Sequence, residues 1–148
     1  MRTRLLLGAA ISAALVLVVG ARIARACGDD MKQEAYNVIS VDELATALQS
    51  HQHMTVIDAN GAETRQKFGV IPGAQLLSNF STYDPAAELP ADKTQTLVFY
   101  CGSTMCTAAP QAAMRAAAAG YTNIYVLHVG IKGWTAANKP TVRPLKNS

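Results

Sequence analysis

Short apolar runs alternate with helical patterns along most of this chain, and this alternation constrains the fold more than any other feature. The runs at 54–57, 97–100 and 124–127 are rich in apolar residues, which is typical of strands buried on both faces. A helical pattern follows each run, most clearly at 107–119, where eight alanines precede Gly120. We therefore predict a three-layer α/β fold with a mainly parallel central sheet flanked by helices.

Local signals add detail around these strands. A short strand at 36–39 leads into a helix that Ser40 caps, with Glu43 three residues later to complete a capping box. The segment 78–93 holds two prolines and many small polar residues, which predicts an irregular excursion over the surface. Trp134 is expected to anchor the last short helix by packing.

The N-terminal residues resemble an export signal. A basic start, an apolar run at 5–19 and the small-residue exit Ala24-Arg25-Ala26 are typical of a signal peptide, and an uncleaved membrane anchor through residues 5–21 is the alternative. We expect an exported protein that contacts a membrane only through this segment. The predicted organisation is a signal peptide or anchor at 1–26, a linker at 27–35, one domain at 36–142 and a tail at 143–148.

The formal charge of +3 comes from this N-terminal segment. Four of the 13 basic residues lie in it, which leaves nine basic residues against ten acidic ones in the rest of the chain. Nucleic-acid binding needs a clustered basic surface, so that function class is excluded. The chain has three cysteines, so at least one sulfur is free or bonded to another molecule; they are Cys27, Cys101 and Cys106.

Cys101 is the first residue after the strand at 97–100, and open α/β sheets bind ligands at the carboxyl ends of their strands. The loop from Cys101 to Cys106 must curl into the next helix, and Gly102 permits a tight curl. Such a curl can turn backbone N–H groups towards the sulfur, which would lower the pKa of Cys101. These residues alone leave two interpretations open, a reactive thiolate or a small buried residue that ends a strand.

Six segments in order resemble the rhodanese homology domain over roughly residues 36–142. They are Val56-Ile57-Asp58, Gly69-Val70-Ile71-Pro72-Gly73-Ala74, Leu89-Pro90, Val98-Phe99-Tyr100-Cys101, Ala118-Ala119-Gly120-Tyr121 and Val129-Gly130-Ile131-Lys132-Gly133-Trp134. The resemblance implies that Cys101 accepts sulfane sulfur as a persulfide and passes it to a thiol or cyanide. It implies a small sulfur-containing donor, with no cofactor and no metal.

The chain departs from that family at several positions. Active members commonly carry an arginine at the end of a six-residue loop, where it holds an anionic donor such as thiosulfate, and this chain has Cys106 there. Asn60 and Val70 replace an arginine and a histidine that are frequent in the family. We therefore expect poorer anion recognition than in an ordinary thiosulfate enzyme. Related cysteine phosphatases need an arginine that closes the loop, so phosphatase activity is not expected.

Cys106 allows two interpretations. It fills a small site under the helix start, or it is a resolving thiol that attacks a persulfide or sulfenic acid on Cys101 and leaves a disulfide between them. Such a bond requires the two Cα atoms to lie within about 7 Å of each other.

Other residues are predicted to support this chemistry. Asp58, at the end of its strand, is expected to accept hydrogen bonds from neighbouring backbone, with a catalytic base as the alternative. His128 follows the last strand and would assist proton transfer if its ring faced the site. His51 and His53 lack a further clustered ligand, so no metal site is predicted. The predicted substrate-binding residues are in the loop and after it: Gly102, Ser103, Thr104, Met105 and Thr107.

Three functions remain open. The first is a sulfurtransferase or sulfur carrier that forms a persulfide on Cys101 with thiosulfate or a polysulfide as donor. The second is a thiol–disulfide redox protein that uses Cys101 and Cys106 without sulfane transfer and has a protein redox partner. The third is a binding module of the same fold without catalysis.

Overall fold

The computed structural model describes residues 35–143. The segment predicted as a signal peptide or anchor, Cys27, nearly all of the predicted linker and the last five residues lie outside this range. Among the helices at 35–143, none is long and apolar enough to span a bilayer.

Strands and helices alternate throughout the described chain. The strands are β1 (Asn37–Val38), β2 (Met54–Asp58), β3 (Gln75–Leu76), β4 (Thr96–Tyr100) and β5 (Ile124–Leu127). The helices are α1 (Val41–Gln49), α2 (Ala62–Phe68), α3 (Pro85–Glu88), α4 (Ala108–Ala118) and α5 (Gly130–Ala136). The sheet order is β1-β5-β4-β2-β3, and each neighbouring pair is parallel. The predicted parallel α/β sheet is confirmed.

Alternate side chains of the central strands pack on opposite faces of the sheet, as a period of two requires. One face packs against α4 through a cluster that includes Ile57, Leu97 and Phe99. The other face packs against α1 and α5 through a cluster that includes Val56, Val98 and Tyr100. The inward side chains of α4 are alanines, whose small size lets the helix lie close to the sheet. Both faces are covered, so the three-layer prediction is also confirmed.

The predicted local signals are present at both ends of the domain. The Ser40 side chain accepts from the backbone N–H of Glu43 at 3.2 Å, and the Glu43 carboxylate accepts from the Ser40 backbone N–H at 2.9 Å. Hydrogen bonds from Ser40 hold the pKa of Glu43 below its usual value. Trp134 is 2% exposed and donates from Nε1 to the Pro140 carbonyl at 2.8 Å, which anchors α5 as expected.

The prediction of an irregular surface excursion at 78–93 is wrong in part. The segment contains α3, and Tyr83 and Leu89 in it are buried. The Tyr83 hydroxyl donates to the Ala112 carbonyl at 2.8 Å, and burial raises the pKa of Tyr83 above its usual value. Prolines and small polar residues do not reveal this anchor, because it depends on one tyrosine that reaches a helix distant in sequence.

Candidate active site

The loop between β4 and α4 carries the predicted cysteine pair. Cys101 follows four residues with no exposed surface and is itself 3% exposed. Cys106 is partly buried, and its backbone N–H donates to the Ser103 carbonyl at 2.9 Å. The buried strand gives Cys101 a rigid base, and the turn between Ser103 and Cys106 brings the second cysteine back towards the first.

Cys101 and Cys106 form a disulfide in this structure. Their Cα atoms are 6.4 Å apart, which satisfies the limit of about 7 Å for such a bond. Cys101 Sγ also lies 3.5 Å from the Cys106 carbonyl oxygen. Cys106 therefore covers the sulfur of Cys101, and the geometric condition for a resolving thiol is met.

The first turn of α5 holds this loop from the other side. The backbone N–H groups of Ile131 and Lys132 donate to the carbonyls of Cys101 at 2.8 Å and Gly102 at 3.1 Å. Gly130 permits the close approach, because its φ is +61° and a Cβ on it would lie 2.5 Å from the Cys101 carbonyl oxygen. In the sequence, Gly130 is recognisable only as part of a family segment, because its structural role depends on how α5 packs against the loop.

The predicted cradle of loop amides around the Cys101 sulfur is not found. Within residues 35–143, no loop N–H donates a hydrogen bond to Cys101 Sγ. Instead, the carbonyl oxygens of Cys101 and Gly102 accept hydrogen bonds from backbone N–H groups of α5, and these bonds orient the two peptide groups. In the disulfide form, contact with α5 therefore fixes the orientation of these two peptide groups.

A cleft of about 390 Å³ lies beside the loop. Three of the predicted site residues line it, namely Gly102, Ser103 and Cys106. Cys101 is not part of the lining, because Cys106 lies over its sulfur. A molecule that enters the cleft therefore contacts Cys106 before it can reach Cys101.

Four other predicted site residues do not line this cleft. Thr104, Met105, Thr107 and His128 are all exposed, and Met105 is 88% exposed. Position at the sheet edge is therefore not enough to bring a side chain into the site. The curl of the loop turns its tip towards solvent and leaves only its two ends in contact with the cleft.

Several residues that complete the cleft carry no assigned role in the sequence-based prediction of the site. They include Asn60 after β2, Lys67 and Phe68 at the end of α2, Phe80, and Lys132 in α5. Asn60 could have been predicted from the sequence, because it lies just past the carboxyl end of β2, the strand that pairs with β4. The others reach the cleft only through the packing of separate elements around the loop.

Asp58 is fully buried at the end of β2, and both of its carboxylate oxygens accept hydrogen bonds from neighbouring groups. Its Oδ1 accepts from the Asn60 backbone N–H at 2.6 Å and from Arg65 Nε at 3.3 Å. Its Oδ2 accepts from the Tyr100 hydroxyl at 2.6 Å. Asp58 therefore positions Asn60 and α2. Accepting a hydrogen bond from neighbouring backbone is the role that the sequence favoured for Asp58 over that of a catalytic base.

Tyr100→Phe is expected to destabilise the domain by about 2 kcal/mol. The Tyr100 hydroxyl is buried, donates to Asp58 and accepts from the Ile71 backbone N–H at 3.1 Å. Burial raises the pKa of Tyr100, so this hydroxyl stays protonated. Its loss leaves Asp58 Oδ2 and the Ile71 backbone N–H without their hydrogen-bond partner. Urea unfolding measures the change in the free energy of unfolding.

Tyr125→Phe is the matched control, because the Tyr125 hydroxyl makes no hydrogen bond within the part of the chain that the structure describes. Its effect on the free energy of unfolding should stay within about 0.5 kcal/mol. Equal effects of the two substitutions would contradict the role given to Tyr100.

Fold and site together define an α/β domain with a cysteine-bearing loop at the carboxyl edge of a parallel sheet. The family profile for the Rhodanese-like domain matches residues 40–137. The chain therefore belongs to the rhodanese-like domain family, and the resemblance found in its sequence is confirmed.

Solved structures with the same fold come from several organisms. A protein from Bacillus halodurans is 22% identical with a TM-score of 0.62, over 74% of this chain and 78% of that chain. The rhodanese-like domain of an Anabaena protein is 20% identical with a TM-score of 0.58, over 74% and 81%. A Rhodopseudomonas palustris protein of unknown function, described as a possible tyrosine phosphatase, is 16% identical with a TM-score of 0.62, over 76% and 89%.

At these identities the likeness establishes the fold alone. No curated protein matches the chain. Activity must therefore be argued from the residues of the loop and the cleft.

Proposed function

We propose that this protein accepts sulfane sulfur as a persulfide on Cys101 and that Cys106 resolves the persulfide. The observation that carries the proposal is the disulfide between these two cysteines in the loop of a rhodanese-like domain. A second thiol within bonding distance can release the persulfide sulfur by forming a disulfide within the protein, in addition to transfer of that sulfur to an outside acceptor.

The reaction begins on the reduced protein. The Cys101 thiolate attacks the outer sulfur of an organic persulfide, a new S–S bond forms on Cys101, the S–S bond of the donor breaks, and the donor leaves as a thiol. A polysulfide donor reacts in the same way and leaves with one sulfur fewer. The Cys106 thiolate then attacks Cys101 Sγ and displaces the terminal sulfur as sulfide. The product is the Cys101–Cys106 disulfide, so the two electrons that reduce the sulfane sulfur come from the cysteine pair.

A thiol reductant must then regenerate the cysteine pair. The more accessible sulfur of a disulfide is the one that a thiolate attacks, and Cys106 is the cysteine that lines the cleft. Attack on Cys106 gives a mixed disulfide and releases Cys101 as a thiolate. A second thiol attacks the mixed disulfide and frees Cys106, so two thiols are oxidised to one disulfide in each cycle.

We propose that this cycle takes place outside the cytoplasm. The signal-like pattern of the first 26 residues supports export, either as a cleaved or as an anchored form. An oxidising compartment favours the disulfide state of the pair and makes a dedicated reductant necessary.

The same disulfide also supports a second function, thiol–disulfide exchange without sulfane sulfur. That function needs the same two cysteines and the same reductant, but it neither accepts sulfur nor releases sulfide. Sulfide production from a persulfide donor distinguishes the two functions.

Phosphatase activity has no support in this loop. A phosphate monoester needs a guanidinium group to bind its oxygens at the loop end, and that position is Cys106 followed by Thr107. The description of the Rhodopseudomonas palustris protein therefore does not carry over to this chain.

Peptide mapping by mass spectrometry tests the disulfide on which the proposal rests. After mild oxidation of the reduced protein, we expect the peptide that contains both Cys101 and Cys106 to carry an internal disulfide, with a mass two hydrogen atoms lower than that of the dithiol. Cys106→Ser should remove this linkage and leave Cys101 as a free thiol that an alkylating reagent labels once the protein is unfolded, because residue 106 can no longer form the bond. If no oxidant produces the linkage, Cys106 is not a resolving thiol.

A further inference from the structure

The cleft beside Cys106 carries two lysines that form no ion pair with any residue between 35 and 143. Lys67 and Lys132 both line it, and the Nζ atom of each lies 5.5 Å from the centroid of the Phe68 ring. The ion pairs within residues 35–143 are formed by other side chains, Arg65 with Asp58 and Lys139 with Asp42. Two ammonium groups therefore share one aromatic ring beside the disulfide, and with Glu63 as the acidic residue of the lining the cleft keeps a net positive charge.

An unsatisfied polar group lies in the same wall. Asn60 lines the cleft, is 8% exposed, and its Nδ2 has no hydrogen-bond partner within the described residues. Its backbone is fixed, because its N–H donates to Asp58 at 2.6 Å. Buried polar groups in folded proteins nearly always have a partner, so Asn60 is a polar residue in the cleft wall whose side-chain hydrogen bonding the described residues leave incomplete.

The size and walls of the cleft indicate an organic ligand. Its volume of about 390 Å³ lies in the range of about 300–1,000 Å³ that is typical of small-molecule sites. A small inorganic sulfur anion would fill only part of it. Phe68 and Phe80 contribute apolar surface, which favours contact with carbon atoms of the ligand.

We propose that this cleft binds an organic thiol or persulfide that carries a carboxylate group, and that Lys67 and Lys132 bind the carboxylate. The inference rests on the proposed function and names the substrate class of the same site. The lysines hold the acid group while the sulfur end of the molecule reaches Cys106 in the oxidised protein, or Cys101 once the disulfide is open. The bonds formed and broken are those of the cycle given above.

Binding of unreactive analogues tests this inference without any sulfur transfer. We suggest 3-(methylthio)propionate and its amide, which have nearly the same size and shape but differ in charge, titrated into the protein and followed by NMR chemical shifts. We expect the acid to bind more tightly than the amide. Lys67→Gln and Lys132→Gln should each weaken binding of the acid about tenfold and leave binding of the amide unchanged.

Two further variants serve as controls. Lys139→Gln removes a lysine that is outside the cleft, so it should not change binding of the acid. Glu63→Gln removes the acidic side chain of the cleft, so it should strengthen binding of the acid. Opposite effects at Glu63 and at the lysines would not arise from a general loss of structure.

Equal binding of the acid and the amide, absence of binding by both, or unchanged acid binding in the Lys67→Gln and Lys132→Gln variants would overturn the inference. The analogues carry no transferable sulfur, so this result does not depend on persulfide chemistry. Selective acid binding by a protein that never accepts sulfur would support this inference and reject the proposed function instead.

Discussion

Cys101→Ser is expected to lower the rate of sulfur uptake from an organic persulfide by at least about 10³-fold. The serine hydroxyl is a far poorer nucleophile towards sulfur than a thiolate, and Cys106, the other thiol of the loop, resolves the persulfide in the proposed cycle rather than accepting sulfur from the donor. The measurement is the fragment mass spectrum of the reduced protein after brief exposure to the donor, which locates added sulfur among Cys27, Cys101 and Cys106. Wild type gains one sulfur atom on Cys101 before the disulfide forms, and the variant gains none at position 101.

Cys106→Ser is the matched variant for this experiment. It keeps the nucleophile, so uptake should continue, but it removes the thiol that attacks the persulfide. We expect the Cys101 persulfide to persist and sulfide release to fall by at least about tenfold. Uptake by the Cys101→Ser variant, with sulfur located on Cys106, would reverse the roles that we give to the two cysteines.

Gly130→Ala is expected to have the largest effect on stability, about 3 kcal/mol. A Cβ at this position would lie 2.5 Å from the Cys101 carbonyl oxygen and 2.8 Å from the Gly102 carbonyl carbon, both of them backbone atoms. The positive φ of +61° adds strain for any L side chain. Thermal unfolding should show a fall in Tm of about 10 °C, and separation of α5 from the loop should speed reduction of the disulfide.

Gly120→Ala separates the two causes of this instability, which are the clash of the new Cβ with the loop backbone and the strain of a positive φ. Gly120 also has a positive φ, +92°, but no atom lies within 4 Å of a Cβ placed there. Backbone strain alone should cost about 1 kcal/mol, with no change in how fast the disulfide is reduced. If the two substitutions lowered the free energy of unfolding equally, the close approach of α5 to the loop would not be a source of stability.

The fold was predictable wherever a pattern is local. Apolar runs identified the three central strands, and the alanines before Gly120 identified α4. The segment 78–93 was misjudged because Tyr83 is buried by contact with α4, which lies 29 residues away at Ala112. No window of sequence contains both partners of that contact.

The site was predictable for its sulfur atoms and less so for its surroundings. Position after β4 and spacing identified Cys101 and Cys106, which the structure brings together. The orientation of the loop peptides was missed, because it depends on amides of α5 that approach from another part of the chain. Lys67 and Lys132 lie on two different helices, so their common position in the cleft depends on how those helices pack.

A single-turnover reaction tests the central claim most directly. Fully reduced protein is mixed with one equivalent of an organic persulfide, without other thiols, and both sulfide and the Cys101–Cys106 disulfide are measured over time. We predict one sulfide released for each disulfide formed, with a Cys101 persulfide appearing first. Disulfide formation without sulfide, or a persulfide on wild-type protein that persists with Cys106 still reduced, would contradict the claim.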